Sequence, residues 1–327
     1  MKINSVKGPI DTSELGCTLM HEHILSVSRA LAYAFPGWID ENQVVETFKK
    51  DMDSIKPLGM QTFVDASTIC NGRDVLVDIK ASEASGVNIL MVTGLYWPER
   101  PWYSMNPKVG IPTIDEKFLA SLFIKELTEG IQGTDVKAAM VKCATDTVHG
   151  FSPANISMIR ACGRAAIETG APVTAHSDAR TRQGLVQQKI LTELGVPSHR
   201  ILLNHSFSTD DLEYIQELMD GGSYVGCDQI GFDALEVPIA TLAKNLAYFI
   251  RKGYGKHIVL SHDKCLCNDY GIGLSYLHRS EEDPMIGHYQ EVFHVLPGLL
   301  INEGVSQAEI DMLLIDNPRR YFEGGAL

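Results

Sequence analysis

No stretch of about 18 consecutive apolar residues occurs in the chain, so no segment reads as a membrane-spanning helix. The opening Met-Lys-Ile-Asn-Ser-Val-Lys-Gly-Pro has no apolar core of the kind a secretory leader needs. Positive charge is scarce: 28 Lys and Arg stand against 41 Asp and Glu, a net charge of -13. A nucleic-acid binder would need a basic face to neutralise phosphates, so that class is not expected. Low-complexity tracts, short internal repeats and linker-like stretches are missing too, and residues 1–327 read as a single domain. Cysteine gives no framework. There are seven, an odd number, and Cys265 and Cys267 stand too close together for the usual zinc-knuckle spacing. Reduced thiols in a cytoplasmic protein are the expectation.

What is present is a cadence. Short apolar segments rich in β-branched residues fall at Cys17–Met20, Thr62–Val64, Ile89–Val92, Ala138–Val141, Val173–Ala175, Ile201–Leu203, Tyr224–Gly226 and Ile258–Leu260. Longer amphipathic stretches alternate with them, among them Val75–Ser85, Phe118–Glu129, Ser157–Thr169, Gly184–Leu194, Asp210–Met219 and Pro238–Lys252. Eight strands alternating with helices predict an α/β fold of the (β/α)₈ TIM-barrel type. An open doubly wound sheet is the alternative, but no Gly-rich phosphate fingerprint follows the first strand. The Pro- and aromatic-rich segment Tyr96–Pro112 reads as an elaboration over the barrel mouth.

The strand ends carry the chemistry. The first strand runs into His21-Glu22-His23, the fourth into Lys142, the fifth into His176, the sixth into His205 and the eighth into Asp263. In a (β/α)₈ barrel these ends converge on one face. Alternation along a strand turns His21 and His23 to one side and Glu22 to the other. Four imidazoles, a carboxylate and a lysine at one mouth suit a borderline divalent ion such as Zn²⁺. His262 precedes Asp263, should face the opposite side, and is not assigned to a metal.

These segments resemble the phosphotriesterase family of the amidohydrolase superfamily. They are Thr18-Leu19-Met20-His21-Glu22-His23, Val141-Lys142, Val173-Thr174-Ala175-His176, Asn204-His205-Ser206, Ser261-His262-Asp263 and, near the end, Asn317-Pro318-Arg319-Arg320-Tyr321-Phe322. The resemblance implies an amidohydrolase-type barrel with a binuclear centre. His21, His23 and Asp263 would hold the more buried ion, and His176 and His205 the more exposed one. Lys142, carboxylated by CO₂, would bridge them together with a hydroxide. Zinc is the first expectation, with Mn²⁺, Co²⁺ or Fe²⁺ as alternatives. Asp263 would take the proton as the hydroxide attacks a substrate carbonyl or phosphoryl group.

Substrate class turns on the neighbours of the ligands. In the phosphotriesterases a carboxylate and a histidine relay the proton onward from the catalytic aspartate; Ser208 and Gln229 occupy those positions here. Thr93-Gly94-Leu95-Tyr96 resembles the lactonase branch, in which the tyrosine lies beside the metals. Arg180 and Arg182, Lys264 and Arg279 fall in loops at the catalytic face, where basic groups would focus an anionic substrate. The expected substrate contacts are therefore Tyr96, Arg180, Gln229, Lys264 and Arg279. The sequence points to a lactonase acting on a small polar sugar lactone, phosphorylated if those basic groups act together. A phosphotriesterase or general carboxylesterase is the alternative, and an inert metal-binding protein the third. The expected partner is a small ester or lactone, with neither nucleic acid nor membrane, and a homodimer is compatible.

Overall fold

The computed structural model describes residues 1–96, 115–148, 150–233, 236–269, 289–325 and 327. An antiparallel hairpin of β1 (Lys2–Ser5) and β2 (Gly8–Asp11) comes first. The strands β3 (Cys17–Ser26), β4 (Met60–Asp65), β5 (Asn88–Gly94), β6 (Met140–Ala144), β7 (Val173–His176), β8 (Ile201–Asn204), β9 (Tyr224–Cys227), β10 (Ile258–Leu260) and β11 (Cys265–Asn268) follow. Between them lie α1 (Arg29–Ala34), α2 (Glu41–Ile55), α3 (Val75–Ser85), α4 (Glu116–Thr128), α5 (Pro153–Thr169), α6 (Gln183–Leu194), α7 (Leu212–Asp220) and α8 (Ile239–Arg251). The short helices α9 (Glu291–His294), α10 (Leu296–Asn302), α11 (Gln307–Asp311) and α12 (Asn317–Glu323) complete the described chain.

The nine strands form one curled parallel sheet in the order β10-β9-β8-β7-β6-β5-β4-β3-β11. Each of the eight expected strands has its counterpart, and β11 is the addition. It follows β10 after only four residues, yet pairs with β3 at the other end of the sheet. The connecting stretch is bonded to β3 as well: Asp263 N–H donates to His21 O at 3.1 Å, and His23 N–H to Lys264 O at 3.0 Å. The eighth strand is thus bent at Asp263 rather than ended there.

Both faces of the sheet are covered, which is why its strands read as apolar runs. One cluster, with Met20, Val64, Leu90, Val92, Met140, Leu202, Tyr224 and Val259, fills the inner face. Alternate residues (Leu19, Phe63, Ile89, Met91, Val141, Leu203, Val225 and Leu260) pack outward against the helices. Tyr321 and Phe322 of α12 join Ile3 of β1 in the inner cluster, and Tyr321 Oη donates to Val173 O at 2.7 Å. Strand parity then aims Lys142, two residues beyond Met140, and His176, two beyond Thr174, into the same interior. On β3 the register against β4 slips between Leu19 and Glu22. That slip lets Met20 join the inner cluster while His21 and His23 still turn inward.

Helix starts follow their caps. Asp74, Asp115, Ser152 and Asp211 each accept a backbone N–H in the first turn of the helix that follows. Ser152 and the Pro153 behind it start α5 four residues ahead of the amphipathic signal at Ser157. None of the described helices is long and apolar enough to cross a membrane.

Gly94 ends β5 at φ +118°, and a Cβ there would lie 1.9 Å from Lys142 O. Gly94→Ala should cost more than about 1 kcal/mol and push Lys142 off its position. Urea unfolding measures the first effect and activity the second; wild-type values in both would show that the two strand ends have room to part.

Candidate metal centre

The inward side chains converge. His21 Nε2 lies 3.0 Å from Lys142 Nζ and 3.5 Å from Asp263 Oδ1, and His23 Nε2 lies 3.3 Å from the same oxygen. Across the mouth, His205 Nε2 and His176 Nδ1 face each other at 2.7 Å. His205 Nδ1 is 3.7 Å from Asp263 Oδ2, so one carboxylate ties the two halves together. His21, His23, His205 and Lys142 are buried, and His176 is half-buried.

Two of these residues sit in left-handed backbone. His205 and Asp263 both have φ +58°, a conformation that costs a non-glycine residue about 1–2 kcal/mol. Their own amides help hold it: His205 N–H donates to Asp228 Oδ1 at 2.7 Å, and Asp263 N–H to His21 O. Strain concentrated on two functional candidates marks the site as well as any single contact does.

Outer contacts fix which nitrogen each ring offers inward. Ser67 Oγ donates to Leu25 O, so it accepts from His23 Nδ1 at 2.8 Å and leaves His23 Nε2 as the acceptor beside Asp263. Asp228 Oδ1 does the same for His205, accepting from its Nδ1 at 3.1 Å, while Asp228 Oδ2 lies 3.3 Å from His21 Nδ1. Sequence reasoning did not single out Asp228. It follows β9, one position before the Gln229 already singled out, and a carboxylate at that strand end was its only signal.

Charge states follow from burial. Desolvation, with the neighbouring Lys142, lowers the His21 ring to about 4. Desolvation and His205 hold the His176 ring well below its usual value. Burial presses His205 down too, but Asp228 and Asp263 carry it above the usual range. Burial lowers the Lys142 ammonium against the pull of Asp263, Asp65 and Asp228. Burial would raise Asp263, yet His205, His21 and His23 hold it well below an ordinary carboxylate.

Imidazoles around ionised carboxylates are a divalent cation's donor set, and a bound ion displaces any proton a ring still holds. Among the described residues, His21, His23 and Asp263 bring ligand atoms within 4.8 Å of one another, as do His21, His205 and Asp228. The apposed ring nitrogens of His176 and His205 need a proton or a cation between them, and the buried His21 Nδ1 and Asp228 Oδ2 lack a hydrogen-bond partner of good geometry. The residues fit a metal.

The phosphotriesterase family model matches residues 1–322. The chain belongs to the phosphotriesterase family, and it is a hydrolase. It is 33% identical over 328 residues to a phosphotriesterase homology protein of Mycobacterium tuberculosis, covering 98% of each chain. Against an aryldialkylphosphatase of Saccharolobus solfataricus the identity is 33%, with 97% of this chain and 98% of that one aligned. The solved structure of the phosphotriesterase from Mycobacterium tuberculosis superposes with a TM-score of 0.88 at 31% identity, covering 99% of this chain and 98% of that one.

Within that family frame, the expected substrate contacts separate. Tyr96 Oη reaches His176 Nε2 at 3.0 Å, and Gln229 Nε2 donates to Asp263 Oδ2 at 3.1 Å, so both lie at the centre. Lys264 is buried and its Nζ pairs with Glu291 Oε1 at 2.6 Å. Arg180, largely exposed, pairs with Glu236 at 2.7 Å, and Arg182 with Glu217 at 2.6 Å. Arg279 lies outside the described residues, as does most of the Tyr96–Pro112 segment. His262 keeps to the far side: its Nδ1 meets Glu22 Oε1 at 2.8 Å, and its Nε2 accepts from Val292 N–H.

Asp228→Asn should weaken metal retention about 10–100-fold, because the shared acceptor of His21 and His205 loses its charge. Chelator competition reads the change, with the unfolding midpoint of the metal-free protein as control. Undiminished retention would show that Asp228 supports the fold alone.

Proposed function

We propose that this hydrolase is a binuclear lactonase on a closed (β/α)₈ barrel of the amidohydrolase type, opening a small polar lactone. The observation that carries the reading is the Asp263 carboxylate, ionised and set against His21, His23 and His205 at one mouth. His21, His23 and Asp263 would hold one divalent ion, and His176 and His205 the other, with zinc the first candidate. Cations held there would supply Lewis acidity and would lower the pKa of a water between them towards neutrality.

The chain's own groups do the rest. An ammonium at Lys142 would repel a cation, whereas its carbamate offers two anionic oxygens. Burial lowers the lysine pKa and so enriches the neutral amine, the form that adds CO₂ and sheds a proton. Asp263, kept ionised by three imidazoles, accepts the proton of the attacking water and returns it to the ring oxygen as the acyl C–O bond breaks. Tyr96, with its hydroxyl 3.0 Å from His176, is placed to orient the lactone.

Two features weigh between substrates. Ser208 and Gln229 stand where phosphotriester hydrolysis would want a carboxylate and a histidine, which favours the lactone. Lys264 and Arg180 already face Glu291 and Glu236, which weighs against their serving as contacts for a phosphorylated lactone. One charge-assisted contact contributes about 1.5–3 kcal/mol, or roughly 10–100-fold in kcat/KM.

Purified protein loaded with zinc and bicarbonate should contain about two ions per chain and turn over a polar sugar lactone faster than a phosphotriester. One ion or none in active protein would end the binuclear reading, and a phosphotriester as the better substrate would end the lactonase. Lys142→Ala should lose most activity and metal, with partial recovery on adding small carboxylates. Asp263→Asn should lose about 10²–10⁴-fold in kcat, the scale of a positioned acid–base group. Full turnover in metallated Asp263→Asn would move proton transfer elsewhere.

A further inference from the structure

Asp263 divides its two oxygens. Oδ1 faces His23 Nε2 at 3.3 Å and His21 Nε2 at 3.5 Å, while Oδ2 accepts the Gln229 amide at 3.1 Å. Gln229 is itself held, because Ser208 Oγ donates to its Oε1. The assignment of the amide is forced. An ionised carboxylate only accepts, so the nitrogen must face Asp263, the oxygen must face Ser208, and the serine hydroxyl must be the donor. Beyond Ser208 lies a polar cavity of about 530 Å³, lined also by Arg180, Asp210, Asp211 and Glu236. A continuous line of hydrogen bonds therefore runs from the catalytic carboxylate to the edge of a polar surface cavity, and its middle link is an amide. An amide neither gives up nor takes a proton near neutral pH. The line can orient a carboxylate but cannot drain a proton from it.

We propose that Gln229, anchored by Ser208, is a positioning residue that fixes the Asp263 carboxylate and keeps the proton it receives at the reacting centre, favouring substrates with alkoxide leaving groups. The proposal rests on Asp263 being the proton acceptor, the reading given above. The bookkeeping is simple. An O–H bond of water breaks and its proton goes to Asp263; a C–O bond forms at the acyl carbon; the C–O bond to the leaving oxygen breaks, and the same proton ends there. An alcohol is about as weak an acid as water, with a pKa of about 15.7, so its alkoxide departs only with that proton. A nitrophenolate departs without it. Ser208 and Gln229 thus form a filter on leaving-group basicity rather than a binding contact.

The test compares an aliphatic lactone with a 4-nitrophenyl ester of similar acyl size on metal-loaded Gln229→Ala, Ser208→Ala and Gln229→His. Gln229→Ala should lower kcat for the lactone about 10–100-fold, with KM nearly unchanged and a loss on the aryl ester about tenfold smaller. Ser208→Ala, which keeps the amide but frees it, should fall between. Gln229→His restores an N–H donor that also carries protons, so it should raise the aryl-ester to lactone ratio of kcat about tenfold over wild type. A second readout needs no turnover: crystals of metal-free Gln229→Ala should show the Asp263 carboxylate rotated away from His21 and His23. Equal losses on both substrates, a rise in KM alone, metal lost in parallel with activity, an unchanged ratio in Gln229→His, or an unmoved carboxylate would each overturn the proposal. Asp263→Asn run alongside separates the two readings. If it keeps full kcat, the assignment of Asp263 has failed; if it is inactive while the Gln229 variants behave as wild type, only this proposal falls.

Discussion

Asp263 sets a single carboxylate against three buried imidazoles, and the rest of the mouth is built around that arrangement. Its backbone is turned into the left-handed region at φ +58°, which bends the eighth strand and sends β11 back along β3. Without the bend, the chain would run straight on from Leu260 and the sheet's two ends would not share one stretch of chain. The conformation costs about 1–2 kcal/mol, and the amide bond to His21 O helps to offset it. The geometry that sets β11 beside β3 is therefore the same geometry that turns the Asp263 carboxylate towards the histidines.

Burying so many titratable groups is expensive unless their charges are settled in advance. Two devices settle them. Desolvation disfavours the charged forms of His21 and His176, while the carboxylates of Asp228 and Asp263 stay ionised among the rings. Glu22, one residue from each inward histidine on β3, takes a separate network on the far side, accepting from Ser261 Oγ and from the amides of His262 and Lys264. The two polar systems lie back to back across one strand. They touch at Ser261, whose hydroxyl accepts from the His21 amide at 2.8 Å and donates to Glu22.

The basic groups show how a sequence-level count of charge can mislead. Lys264, Arg180 and Arg182 fall in loops at the catalytic end, but each meets an acid: Glu291, Glu236 and Glu217. In a chain with 41 acidic residues against 28 basic ones, a carboxylate partner for such a loop cation is readily at hand. Gln229 and Ser208, by contrast, carry no charge and gave only the signal of a missing relay, yet they are the pair in line with Asp263.

Local chemistry wrote much of this protein into its sequence. Short apolar runs followed by His or Lys place strands and candidate ligands together, because a strand end fixes both the direction and the face of the next side chain. Caps such as Asp74 and Asp115 mark helix starts for the same local reason. Other features were not legible, since they depend on residues far apart in the chain. Asp228 becomes an outer partner only because it meets His21, 207 positions earlier, and β11 becomes a strand only because β3 lies open beside it. Cys-Leu-Cys-Asn has no strand period of its own, and a lone aspartate after a short strand has no pattern at all. The sequence by itself determined the alternation of strands and helices and which side chains stand at the strand ends. Tertiary structure alone decided which charges cancel, which ring nitrogen faces inward and where a proton can travel, because those depend on distances between elements that no local spacing encodes.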